Sequence, residues 1–221
     1  MLGRHHRPDS RDANYPMKLV LDVWPGKWTF NPAKAPKIWK PGAILDQGQT
    51  PHCVGFATAQ WAQTSPYRTK LTAKFNGDEI YADCKKVDGY PTEDGSDAHA
   101  AMKVMAAEGK VGNYFWATNP EEFAAWLSTR TSVLCGTPWH NGMFSPDAKG
   151  FVHPGGPVAG GHEYLANAFY PGVDLLSSVV GFVNSWGTGW ADGGKFYMTL
   201  RDLWMLITEG GDAVAAIQKK L

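Results

Sequence analysis

Three side chains able to perform acyl chemistry stand in distinctive local settings. Cys53 ends a turn-rich run, Leu45-Asp46-Gln47-Gly48-Gln49-Thr50-Pro51-His52, and opens an apolar stretch, Val54-Gly55-Phe56-Ala57. A cysteine at the start of a helix is a nucleophile candidate, because the unpaired N–H groups of the first turn and the helix dipole favour the thiolate. His162 follows the small-residue pair Gly160-Gly161, and Asn184 heads the run Ser185-Trp186-Gly187-Thr188-Gly189-Trp190 behind an apolar segment. Cysteine, imidazole and a side-chain amide are the ingredients of a thiolate–imidazolium pair with a group that orients the base.

The elements that must position these residues are legible in the patterning. Cys53 to Gln63 places Cys53, Phe56, Ala57 and Trp61 on one helical stripe. A second helix is expected from Ser96, as N-cap, to a stop at Gly109, with Ala98, Ala101, Met102 and Met105 at helical spacing. A third is signalled by Asn119, Pro120 at the first helical position, and Glu121 and Glu122 in the first turn. From Thr131 onward, β-branched and aromatic runs predict strands at Val133 to Thr137, Glu163 to Tyr170, Val179 to Asn184 and Phe196 to Leu200, with Gly155 to Gly161 as a loop. Helices followed by strands indicate an α+β protein of two lobes, with a site expected in the cleft between them. Residues 1–15 read as a polar, mobile arm. Residues 16–45 read as an extended segment crossing onto the β lobe, since Pro32, Pro36 and Pro41 interrupt Lys27 to Gly42. Residues 46–130 are then the helical lobe, and 131–221 the β lobe.

Both chemistry-bearing stretches resemble those of the papain-like cysteine peptidases. In that family a glutamine precedes the catalytic cysteine by six positions, the spacing of Gln47 and Cys53, and the catalytic asparagine opens an Asn-Ser-Trp-Gly-x-x-Trp segment, matched from Asn184 to Trp190. The similarity extends loosely from about Ile38 to Leu206. It implies a two-lobed fold, a helical lobe against an antiparallel, barrel-like β lobe. It also implies catalysis by Cys53, His162 and Asn184, with Gln47 as oxyanion donor and Trp186 covering the Asn–His contact. Asp94-Gly95-Ser96 stands where the family binds substrate backbone, so Gly95 and Ser96, with Gly160 and Gly161 beside a specificity pocket and Trp186, are the expected substrate-binding residues. No metal or organic cofactor is implied. The family's local pattern Cys-Gly-Ser/Ala-Cys-Trp/Tyr becomes Thr50-Pro51-His52-Cys53-Val54, so Thr50 stands in place of the disulfide-forming cysteine and Val54 in place of the aromatic after the nucleophile. Only 46 residues precede Gln47, fewer than the inhibitory prodomain such enzymes often carry, so a chain complete as given is expected to be restrained by another route or not at all.

The bland readings are few. Cys84 and Cys135 lack comparable neighbours and read as structural. His140 and His153 lie in Pro/Gly-rich surroundings suited to a loop, His52 should point away from its neighbour Cys53, and His5 and His6 suit a solvated arm better than a metal site. Lys plus Arg equals Asp plus Glu at 21 each, which leaves no net field for nucleic acid or an anionic membrane. Three widely spaced cysteines without a C-x-x-C pair argue against a disulfide framework and a zinc knuckle. With no signal-peptide pattern and no long apolar run, the expectation is a soluble, cytoplasmic cysteine endopeptidase acting on protein or peptide substrates. The rivals are a Cys-His-Asn acyl transferase, an amidase acting on a non-peptide amide, and an inactive binding module.

Overall fold

The computed structural model describes residues 2–23 and 28–218. Met1 of the expected arm, Lys27 of the proline-interrupted run and the last three residues of the expected β lobe lie outside them. The helices are α1 (Lys18–Leu21), α2 (Cys53–Gln63), α3 (Gly77–Val87), α4 (Ala98–Ala107), α5 (Pro120–Thr129) and α6 (Leu200–Thr208). The strands are β1 (Lys37–Ile38), β2 (Val111–Trp116), β3 (Val133–His140), β4 (Val158–Tyr170), β5 (Val179–Val183), β6 (Lys195–Thr199) and β7 (Asp212–Gln218). They form one antiparallel sheet in the order β2-β7-β3-β4-β5-β6, with β1 paired to β4. The architecture is α+β, as expected, and no helix among the described residues is long and apolar enough to cross a membrane.

The central strands are buried on both faces, and side-chain alternation divides their residues between two cores. Leu134, Leu165 and Val214 pack with α2 to α4, including Trp61, Ile80, Met102 and Met105. Their neighbours Val133, Cys135, Tyr164, Ala166, Ala213 and Ala215 face the other side, against Phe123 and Trp126 of α5, Leu203 and Leu206 of α6, and Trp139, Phe182 and Phe196. Unbroken apolar runs such as Val133-Leu134-Cys135 are what such doubly covered strands require.

Several local expectations are corrected. The cap of α4 is Asp97, whose side chain accepts from the Ala100 N–H, and Ser96 precedes the helix. The α5 start is as expected, with Asn119 accepting from the Glu122 N–H and Pro120 at the first position. The half expected to be helical contributes strand β2, which joins the sheet through β7. The stretch expected to be strand contains α6, and the end of the glycine-rich loop, from Val158, belongs to β4. α2 is enclosed on all sides rather than along one stripe, residues 53–62 being buried throughout. Part of the stretch expected as a mobile arm is docked on the fold: Arg4 is only 5% exposed, and Asp12 bonds His99 Nε2 at 2.8 Å, while residues 10, 11 and 13–15 are exposed.

Candidate active site

Cys53 is the first residue of α2, and the turn before it is fixed from outside the cleft. His52 bonds Asp78 through Nδ1 at 2.7 Å and stacks on Tyr81 with ring centroids 3.9 Å apart. Its imidazole is thereby engaged by two side chains of α3. Gln47, just upstream, is carried by a backbone link to the Asn184 segment. An isolated antiparallel bridge joins Asp46 and Trp186, Gln47 N–H donates to Ser185 C=O at 2.8 Å, and Gly187 N–H donates to Leu45 C=O at 3.0 Å. The Gln47 amide is held at both ends: Oε1 accepts from Ser185 Oγ at 2.7 Å and Nε2 donates to Thr50 C=O at 2.8 Å. Its side-chain orientation is therefore set before anything binds.

His162 sits within β4, paired with Thr137 of β3. Its Nε2 lies 2.8 Å from Asn184 Oδ1, which also accepts from the Ser185 N–H at 2.8 Å. Because Oδ1 is acting as an acceptor, Nε2 carries the hydrogen and Nδ1 is the basic nitrogen. That Nδ1 is buried and has no hydrogen-bond partner among the described residues. Trp186 stacks on the imidazole at 4.7 Å with an interplanar angle of 23°, and Trp139 meets it edge-on at 5.0 Å. Two indoles thus pack against the imidazole.

Cys53, His162 and Asn184 have no solvent exposure, and burial dominates their ionisation. It pushes the Cys53 thiol up to about 12, although the backbone N–H groups of Glu163, Gly3 and Val54 favour the thiolate. It pulls His162 down to about 4, against the raising effect of the Asn184 hydrogen bond. The expected helix-terminus effect is present but outweighed, since removing a charge from water costs more than a few partial charges return. In this covered state both groups are neutral.

The cover is the chain's own segment 2–5. Gly3 and Arg4 N–H donate to Gly161 C=O at 3.1 and 2.9 Å. His5 N–H donates to Ser96 C=O at 2.7 Å, and Ser96 N–H to Gly3 C=O at 2.8 Å. Gly95, at φ +89°, packs where a β-carbon would meet Gly3 and His5, Gly160 lies against Leu2, and a β-carbon on Gly161 would overlap the Arg4 carbonyl. Gly95, Ser96, Gly160 and Gly161 thus all lie against segment 2–5, whereas Trp186 packs on His162.

No protein-family model matches the chain, and no curated protein matches it in sequence. Solved structures do match its fold. Xylellain, a cysteine protease from Xylella fastidiosa, superposes with a TM-score of 0.72 at 17% identity, covering 100% of this chain and 97% of that one. The fold is papain-like. The bromelain protease from Ananas comosus, in complex with the E64 inhibitor, gives a TM-score of 0.62 at 12% identity over 83% of this chain and 99% of its own. A procathepsin B from Trypanosoma congolense gives 0.64 at 11% over 100% and 87%. Within the papain-like frame, sequence reasoning missed Ser185, which fixes Gln47, and the acids Glu163 and Asp212 that surround Arg4. Glu163 carried a signal: it directly follows His162 as the one acidic residue of the largely apolar strand β4, so alternation sends it to the opposite face, where a buried acid needs a partner.

Proposed function

We propose that the chain is a cysteine endopeptidase that hydrolyses peptide bonds through Cys53, His162 and Asn184, with Gln47 as an oxyanion donor. The observation that carries the reading is the single tautomer imposed on His162. Asn184 holds the hydrogen on Nε2, Trp186 stacks over the ring, and Nδ1 is left as an unpartnered base on the residue next to Glu163, whose backbone N–H favours the thiolate of Cys53 at the head of α2. An Nδ1 with no other partner supports the role of proton acceptor, a contact that often closes only when substrate arrives. The amides that lean on the sulfur support the role of nucleophile.

In this mechanism His162 Nδ1 takes the Cys53 proton and the sulfur attacks the scissile carbonyl carbon. The carbonyl π pair moves onto oxygen, which Gln47 Nε2 and the Cys53 backbone N–H stabilise. Collapse of the tetrahedral intermediate expels the amine, which leaves with the proton from Nδ1. Water, deprotonated by the same nitrogen, then attacks the thioester, and the thiol regains its proton as the acid product departs. Asn184 acts through His162 by fixing its ring and tautomer.

The test combines labelling with turnover. The chain is treated with an epoxysuccinyl thiol reagent, the adduct is mapped by mass spectrometry, and casein incubations are analysed for cleaved or cross-linked products. Modification at Cys53, with cleavage abolished in Cys53→Ala and His162→Ala, is the expected result. Modification of Cys84 or Cys135 in preference to Cys53 would overturn the site, and cross-linked products without cleavage would make the enzyme an acyl transferase.

A further inference from the structure

One peptide unit, that joining His52 to Cys53, has both of its polar groups committed. Its C=O accepts from the Phe56 N–H at 3.0 Å, the bond that opens α2, and its N–H is an oxyanion donor in the mechanism above. A trans peptide is planar with the two groups opposed. The Cys53 N–H must therefore point out of the helix, away from Phe56, and its aim depends on how His52 is held.

His52 is the N-cap of α2, a place usually taken by a side-chain oxygen that accepts from an N–H of the first turn. Its own side chain makes no such bond, and the Val54 N–H leans on the Cys53 sulfur instead. The imidazole reaches away from its helix to α3, where Nδ1 meets Asp78 at 2.7 Å and the ring stacks on Tyr81 at 3.9 Å with an interplanar angle of 21°. That anchor is itself fixed. The Asn76 side chain accepts from the Asp78 and Glu79 N–H groups at 3.0 and 3.1 Å, and α3 lies directly on α2, since a β-carbon on Gly77 would fall 2.5 Å from the Phe56 ring.

The same helix holds a second segment. The Tyr81 hydroxyl accepts from the Gly95 N–H at 2.9 Å, and Lys85, one turn further along α3, donates to the Gly95 C=O at 2.8 Å. Burial pushes the Tyr81 phenol up, and Cys53 adds to the rise, so the phenol stays neutral and lies within electrostatic reach of the nucleophile. Packing for stability is the plain alternative. Asp78 is exposed, however, and an exposed contact of this kind returns little stability. What a directed bond and a stacked ring supply together is a fixed place and a fixed rotation for the side chain.

We propose that His52 is a positioning residue for Cys53: clamped by Asp78 and Tyr81, it fixes the peptide plane that aims the Cys53 N–H at the oxyanion, and it keys that plane to α3. The peptide-bond substrate rests on the peptidase reading above; the clamp serves any acyl chemistry at this sulfur. A donor lost outright costs about 10²- to 10³-fold in rate, and one turned partly away should cost about tenfold or more. The loss falls on steps that place negative charge on oxygen and spares those that do not.

The experiment sets two small reagents against each other. Acylation of Cys53 by p-nitrophenyl acetate passes through an oxyanion, alkylation by iodoacetamide does not, and the ratio of the two rates cancels differences in access to the sulfur. Both rates are mapped to Cys53 by mass spectrometry in the parent chain and in Arg4→Ala, each with and without His52→Ala, His52→Phe or Asp78→Ala, and thermal melting checks that every variant is folded. His52→Ala should lower the acylation-to-alkylation ratio about tenfold or more while alkylation itself holds. His52→Phe keeps the ring on Tyr81 and loses only Asp78, so it stands in should the alanine variant unfold. It and Asp78→Ala should lower the ratio by the same factor, and their combination by no more, because both remove one contact. An unchanged ratio in the folded variants, or acylation and alkylation falling together, overturns the proposal. Casein hydrolysis is followed alongside. A ratio that falls while neither the parent nor Arg4→Ala cleaves casein leaves the clamp standing and sinks the peptidase, and cleavage with an unchanged ratio sinks the clamp alone.

Discussion

Uncovering Cys53 should change its reactivity by an amount that the burial of the thiol sets. With segment 2–5 in the cleft the thiol is pushed up to about 12 from an ordinary value of 9.0. At pH 7 that leaves about one sulfur in 10⁵ ionised, against about one in 10² for an ordinary thiol. Arg4→Ala removes the side chain that anchors the segment through Asp212 and Gly210 and lets water reach the sulfur. If the pKa returns to its ordinary value, the thiolate fraction rises about a thousandfold. The lower basicity takes back about 15- to 30-fold, because nucleophilicity falls with a Brønsted slope of about 0.4 to 0.5. The net gain is therefore about 30- to 60-fold. The assay is thiol–disulfide exchange with a small aromatic disulfide, followed from pH 6 to 10, with the mixed disulfide mapped to its cysteine. Equal rates at Cys53 in parent and variant, or faster modification of Cys84 or Cys135, would refute the reasoning that the segment governs ionisation at this site.

Gln47→Ala should lower kcat about 10²- to 10³-fold, the usual loss for one oxyanion donor; a near-normal kcat in steady-state assays removes Gln47 from that role. His162 makes stability depend on pH. Its folded pKa of about 4 lies below the ordinary 6.5, so the unfolded chain binds the proton first, and stabilisation present above pH 6.5 is lost as pH falls toward 4. The loss reaches about 3 kcal/mol, measurable as a shift in urea midpoint that His162→Asn should flatten; an unchanged pH profile in that variant would assign the titration elsewhere. Gly55→Ala should destabilise the chain by about 1–3 kcal/mol, because its methyl would overlap the Gly77 carbonyl and lie 2.7 Å from the Tyr81 nitrogen where α2 crosses α3. Thermal melting reads this directly, and an unaltered midpoint would mean that the two helices part without cost.

Local chemistry was legible wherever it is written in neighbouring residues. The Asn119-Pro120 helix start, the apolar strand segments and the contexts of Cys53, His162 and Asn184 could be read from the chain because caps, periodicity and motif spacing act over a few positions. Gly95, Ser96, Gly160 and Gly161 were named through the family resemblance alone, and the structure sets them against residues 2–5. The α4 cap was misplaced by one residue, since Ser96 and Asp97 are both good caps and only the backbone path, with Ser96 facing Gly3 and His5, selects between them.

What only the tertiary structure decided is who meets whom across the sheet. Glu163, Gly136 and Asp212 are distant in sequence, and strand register alone makes them one row. The polar composition of residues 2–5 read as a solvated arm because nothing local reveals that Arg4 has two buried acids awaiting a cation. The ionisation of Cys53 was likewise beyond the sequence. A helix terminus lowers a thiol's pKa wherever it occurs, but desolvation is larger, and it depends on what the rest of the chain lays over the sulfur.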